Sequence, residues 1–159
     1  MIVFLDSNIL GIICNNNTAF VESQQCKRWF ETLFIRGVRF ITSDLCDYEV
    51  RRGLIGSSIR SGEVVEGIEL LDVLKREGFL EFLPVSTNAL SLASNLWAIA
   101  SNDGRTTRDN KNIDIDIILS AQYQIIRDEF PGQRVIVATT NLKHLSLFCD
   151  AAHWQDIKL

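Results

Sequence analysis

Apolar positions along the chain fall into two kinds of stretch that alternate from end to end. Short runs rich in β-branched and aromatic residues, "IVFL" at 2–5, "VRFIT" at 38–42, "LEFLPV" at 80–85 and "RVIVAT" at 134–139, read as sheet strands, with "HWQDIKL" at 153–159 as a weaker closing strand. Between them the spacing turns helical. "FVESQQCKRWFETLFIRG" sets Phe20, Trp29, Leu33 and Phe34 on one face and stops at Gly37; "GEVVEGIELLDVLKREG" repeats the device and stops at Gly78. "STNALSLASNLWAIA" opens on Ser86 as a candidate N-cap and carries Leu90, Ala93, Leu96 and Trp97 at helical spacing. Strand and helix in alternation predict a three-layer α/β/α domain around a central, mainly parallel sheet of four or five strands. No repeat or linker interrupts 1–159, so a single domain is expected.

The stretch "NIDIDIIL" at 112–119 resists this simple reading because it sets two acids in an apolar run. As a strand, "IDIDI" puts both acids on one face; as a helix, Asp114 and Asp116 diverge by about 200°. Length favours the helix, since "IDIDIILSAQYQIIRDEF" exceeds an ordinary strand and Ile113, Ile117, Ala121 and Ile125 form an apolar face. Asp114 then sits at the first turn, where a carboxylate suits the positive helix end. Asp116, hemmed in by Ile115, Ile117 and Leu119, needs a partner that its neighbours do not supply.

In parallel sheets ligands bind outside the carboxyl ends of the strands, so acids at strand ends carry extra meaning. Asp6 ends the first strand in "VFLDSNILG", as a helix cap or as a site residue. Glu49 lies about two turns into a helix that Thr42 or Ser43 can start; taken in isolation it reads as a solvated acid. A cluster of such acids would repel itself without a cation, and hard carboxylate oxygens suit Mg²⁺ or Mn²⁺. Arg51 and Arg52 follow Glu49, and Arg105, Arg108 and Lys111 precede Asp114 in the polar loop "SNDGRTTRDNKN" at 101–112. Cations beside a carboxylate-metal pocket are what a phosphodiester substrate requires.

Composition narrows the class. With 47% hydrophobic residues, 23% charged and a net charge of −4, the 159 residues fit a globular protein that does not coat nucleic acid but can carry a local basic rim. Cys14, Cys26, Cys46 and Cys149 are scattered without C-x-x-C spacing, as reduced packed thiols are. Neither a signal peptide nor a membrane span is legible, and a soluble, cytoplasmic protein is expected.

Taken in order, "FLDSNILG", "SDLCDYEVRRGL", "DIDIILSAQ" and "ATTNLKHLSLF" resemble the PIN domain, in particular the VapC-type toxin ribonucleases, from Ile2 to about Phe148. The resemblance implies Mg²⁺- or Mn²⁺-dependent endoribonuclease activity, with in-line attack of water on RNA leaving 5′-phosphate and 3′-hydroxyl ends. By position it makes Asp6, Glu49 and Asp116 the family's acids and Asp114 an auxiliary one. The fourth position departs from a charged pattern: "TTNLKHL" offers Asn141, which adds no charge. Ser7 and Asn8 are expected to orient Asp6, Thr140 to support the pocket, and Lys143, with the arginines, to meet substrate; His144 is either a further contact to substrate phosphate or product, or a histidine on the helix surface. A homodimer and a cognate antitoxin are also implied. Trp29, Phe30, Leu33 and Phe34 are candidates for such a surface, or for a core-facing helix side. Two other readings remain: a PIN fold reduced to an RNA- or protein-binding module, and a phosphatase with Asp6 as nucleophile. "FLDSN" resembles the first motif of haloacid-dehalogenase folds, although Asn8 stands where their second Asp falls.

Overall fold

In a computed structural model, which describes residues 1–15, 20–62, 66–102 and 113–159, the alternating pattern becomes a five-stranded sheet of order β3-β2-β1-β4-β5. The strands are β1 (Ile2–Leu5), β2 (Arg39–Ser43), β3 (Glu81–Leu83), β4 (Val135–Ala138) and β5 (Ala151–Ala152). Every pairing is parallel, so the expected mainly parallel sheet is entirely so. The central strands β1 and β4 are buried along their whole length, which explains their unbroken apolar runs. They pair with Leu5 opposite Ala138, so the residues that follow, Asp6 and Thr139, leave the sheet side by side.

Helices α1 (Ser7–Cys14), α2 (Val21–Ile35), α3 (Asp44–Ser61) and α4 (Gly67–Arg76) follow the first two strands; α5 (Thr87–Asn102), α6 (Ile113–Glu129) and the short α7 (Leu142–Leu145) belong to the second half. α1 packs against α2, α3 and α4, and α5 packs against α6. The helix starts read from the sequence hold. Ser43 caps α3 by accepting from Leu45 N at 3.1 Å, and Ser86 accepts from Ala89 N at 3.1 Å in the first turn of α5. Gly37 and Gly78, at φ 81° and 71°, take the left-handed turn that follows α2 and α4 and that other residues adopt at a cost.

One expectation about the strands is corrected. "HWQDIKL" is not the closing strand: β5 is the preceding Ala151–Ala152, and Trp154–Asp156 forms a 3₁₀ turn. Trp154 and Ile157 are buried three residues apart, the repeat of a 3₁₀ helix. The α2 aromatic set takes the core-facing one of its two expected placements. Phe30 and Leu33 are buried, and the Trp29 ring meets Phe40 edge-on at 5.6 Å while its Nε1 donates to Ile157 O at 3.0 Å. Of that set only Phe34 is exposed. The four cysteines are free thiols; Cys14, Cys26 and Cys46 are buried, and burial pushes all four up to about 12, which leaves them protonated and inert.

Candidate metal centre

Strand order reverses between β1 and β4, and in parallel sheets such a switch point opens a crevice at the carboxyl ends of the strands. Asp6 stands in that crevice, 2% exposed. It is both a cap and more than a cap. Oδ1 accepts from Ser7 N at 2.6 Å, closing the first turn of α1, and from Ser7 Oγ at 3.2 Å; Oδ2 accepts from Asn8 Nδ2 at 3.2 Å and from Thr139 Oγ1 at 2.8 Å. The expected support from Ser7 and Asn8 is present. Burial raises the Asp6 pKa, and the hydrogen bonds from Thr139, Ser7 and Asn8 pull it back.

The hydroxyl that crosses from β4 is Thr139, not Thr140. Thr139 is fully buried; it donates to Asp6 and accepts from Asn141 N at 2.8 Å, while Thr140 is exposed. Only the β1–β4 register, which sets Asp6 level with Thr139, separates them. Asn141 stands at the N-terminal end of α7 without a side-chain capping bond, and its backbone joins the same chain of contacts.

Asp116 lies on α6 with a side chain 13% exposed. Its pKa is raised to about 7, first by burial, then by the negative charge of Asp6 and that of Glu49. Three segments distant in the chain therefore share one electrostatic neighbourhood. Glu49 is not the solvated acid that its position alone implies: its side chain is 12% exposed, with Arg52 Nη2 at 3.3 Å from Oε1. From α7, His144 Nδ1 approaches Asp116 Oδ2 to 3.9 Å, so His144 faces an acid of the crevice. Lys143, beside it, is exposed.

The expected cations divide. Arg51 is held between Asp47 at 3.0 Å and Asp72 at 2.7 Å, tying α3 to α4. That pairing, and not a substrate, accounts for its orientation. Arg52 is half exposed beside Glu49, its guanidinium 5.3 Å from the centre of the Tyr48 ring. Arg105, Arg108 and Lys111 lie outside the described residues, as does the side chain of Asp114, whose backbone belongs to the first turn of α6.

The donor set consists of hard carboxylate oxygens, as Mg²⁺ and Mn²⁺ require. Among the described residues, however, no three His, Cys, Asp or Glu side chains stand close enough together to enclose an ion. The fit is thus to an open site. Mg²⁺ commonly takes one or two carboxylates and completes its octahedron with water and substrate oxygens, so a closed cage of side chains is not needed.

No family model matches the sequence, and no curated protein matches it. Among solved structures, a chain of VapBC-1 from nontypeable Haemophilus influenzae, determined at 2.2 Å resolution, is similar with a TM-score of 0.65 at 15% identity, over 98% of this chain and 100% of that one. The likeness shows the fold: this chain is an α/β domain consistent with the PIN-like architecture, sharing its fold with a VapBC-1 chain from end to end.

Proposed function

We propose that this chain is a metal-dependent endoribonuclease and the toxin of a type II toxin-antitoxin pair. The observation that carries the reading is Asp116: a mostly buried carboxylate raised to about 7, with Asp6 and Glu49 adding to its burden, is a site under electrostatic strain that a divalent cation would relieve. The shared fold with a VapBC-1 chain points the same way.

Asp6 and Asp116 would hold Mg²⁺ or Mn²⁺, with Glu49 and Asp114 the further acids of the set. All four acceptor positions of Asp6 are filled, so an ion would replace one of the two longer bonds, from Ser7 Oγ or Asn8 Nδ2, both at 3.2 Å. The shorter bonds, from Ser7 N and Thr139 Oγ1, would keep the carboxylate in place. When bound, the cation would lower the pKa of water and neutralise charge developing on the phosphate. Arg52, and Lys143 on α7, would hold phosphate oxygens. His144, beside Asp116, would contact the phosphate as it passes the crevice. Asn141 would orient water or Thr139 without adding charge. A cognate antitoxin and a second copy of the chain complete this reading as its partners.

The direct test is purified protein on single-stranded and structured RNA with Mg²⁺, Mn²⁺ or EDTA. Cleavage that needs the cation, and that falls at least about a hundredfold in Asp6→Asn and Asp116→Asn, is expected. Cleavage that persists in EDTA and in both variants would exclude it. The neutral Asn141 and the absence of a three-acid cluster among the described residues favour a second reading, a metal-free binding module. RNA retention with no cleavage under any cation would select that alternative.

A further inference from the structure

From the acidic crevice a groove of about 470 Å³ runs between α1 and α3, bordered by Ser7, Asn8 and Gly11 on one side and Glu49, Gly53 and Ser57 on the other. The two glycines are the informative residues. Both sit inside helices, where glycine costs stability relative to alanine. Neither takes a positive φ. Nor does packing require them: a Cβ on Gly53 would meet nothing within 4 Å, and one on Gly11 would make only an ordinary contact with Val50 Cγ2 at 3.9 Å. Gly67 shows the contrast, since a Cβ there would fall 2.5 Å from Cys14 O. What the absent side chains at 11 and 53 leave is the groove itself.

Its chemistry is not that of a phosphate site. Glu49, at the end that meets the acids, is the single ionisable side chain among the described residues lining it. Ile12, Val50 and Leu54 supply apolar surface, while Asn8 and Ser57 supply amide and hydroxyl groups along the rim. Apolar side chains for a ring face, with neutral polar groups for its edge, are one environment in which proteins hold an extruded base. The volume lies within the range of small-molecule sites.

Resting on the nuclease reading, we infer that the α1–α3 groove receives one splayed base of single-stranded RNA next to the scissile phosphate, with Gly11 and Gly53 serving as specificity-determining openings.

The test compares wild type, Gly53→Ala and Gly53→Leu on a set of single-stranded oligoribonucleotides that vary the bases around the cleaved bond, with Mn²⁺. Alanine and leucine are better helix formers than glycine and point into open space, so both variants should fold, and the Mn²⁺-induced rise in Tm should stay as in wild type. Gly53→Leu should raise KM about tenfold or more and flatten the base preference, with Gly53→Ala shifting both in the same direction by less. Unchanged KM and preference in Gly53→Leu, while wild type cleaves, would overturn the inference and leave the nuclease reading intact. A KM increase accompanied by loss of the Mn²⁺ response would place the damage at the acids and also count against the groove. Wild type that cleaves no RNA would overturn the nuclease reading first, and this one with it.

Discussion

Thr139 and Thr140 are the same residue type in adjacent positions, yet their loss should have opposite consequences. Thr139→Val removes the buried donor to Asp6 and the acceptor for Asn141 N; it should cost about 1–3 kcal/mol of stability and about 10–100-fold in Mn²⁺ affinity, read by denaturation and by metal titration. Thr140→Val, on an exposed residue, should change neither. Asp116 makes a second residue-scale prediction. Its folded pKa of about 7 lies above the ordinary 3.8, so between those values the folded form holds a proton that the unfolded form has lost. That contribution to stability is complete at acid pH and fades as pH climbs from about 4 to 7. Without added metal, Tm should therefore decline over this window. Asp116→Asn should flatten the decline and raise Tm near pH 7.5, by about 2–4 °C for each kcal/mol of burial and repulsion penalty removed. A profile identical to wild type would show that Asp116 is not strained. Position along the chain marks Asp6 and Asp116 as candidates, and the structure buries most of each side chain. The burial of Glu49 was not legible, because one residue of a long mixed-face helix gives no sign of whether it turns to solvent or to a crevice.

Among the elements, the strands with clear β-branched runs and the helices with caps and glycine stops were readable because local chemistry and tertiary placement agree. β5 was not. Two alanines carry no strand preference, and Ala151–Ala152 pairs with β4 only because the chain returns beside that edge. The buried Trp154 and Ile157 give the following turn the strand-favouring side chains instead. Some element contacts are set by single atoms. A Cβ at Gly67, in the first turn of α4, would stand 2.5 Å from Cys14 O at the end of α1, with both Leu54 methyls within 3.3 Å. Gly67→Ala should therefore destabilise by about 1–3 kcal/mol in urea denaturation, although alanine is the better helix former. A stabilised variant would mean that α1 and α4 do not approach as described. The half-exposed ion pairs joining α3 to α4 through Arg51 and Lys75 should matter less: Asp72→Ala is expected to cost no more than about 1 kcal/mol.

For the whole molecule, parallel topology does the positioning. Positions 6, 49, 116 and 139 come from four separate segments; the β1–β4 register sets the first and last side by side, and the charges of Asp6 and Glu49 both act on Asp116. On the proposed reading, a chain of net charge −4 holds RNA through local cations. Arg52→Ala should weaken RNA binding and reduce the slope of log K against log salt by about 0.7, whereas Arg51→Ala, already paired twice within the protein, should leave the slope unchanged. The exposed apolar residues Phe34, Ile35 and Phe79 rim a groove of about 450 Å³ between α2 and α4, which gives the proposed protein partner an apolar surface to cover. The most direct test of the central claim is a crystal soaked in millimolar MnCl₂ and measured for anomalous scattering. One manganese peak between the carboxylates of Asp6 and Asp116, absent in Asp116→Asn crystals, is the predicted result; no peak there at saturating manganese, or a peak remote from both acids, would contradict it.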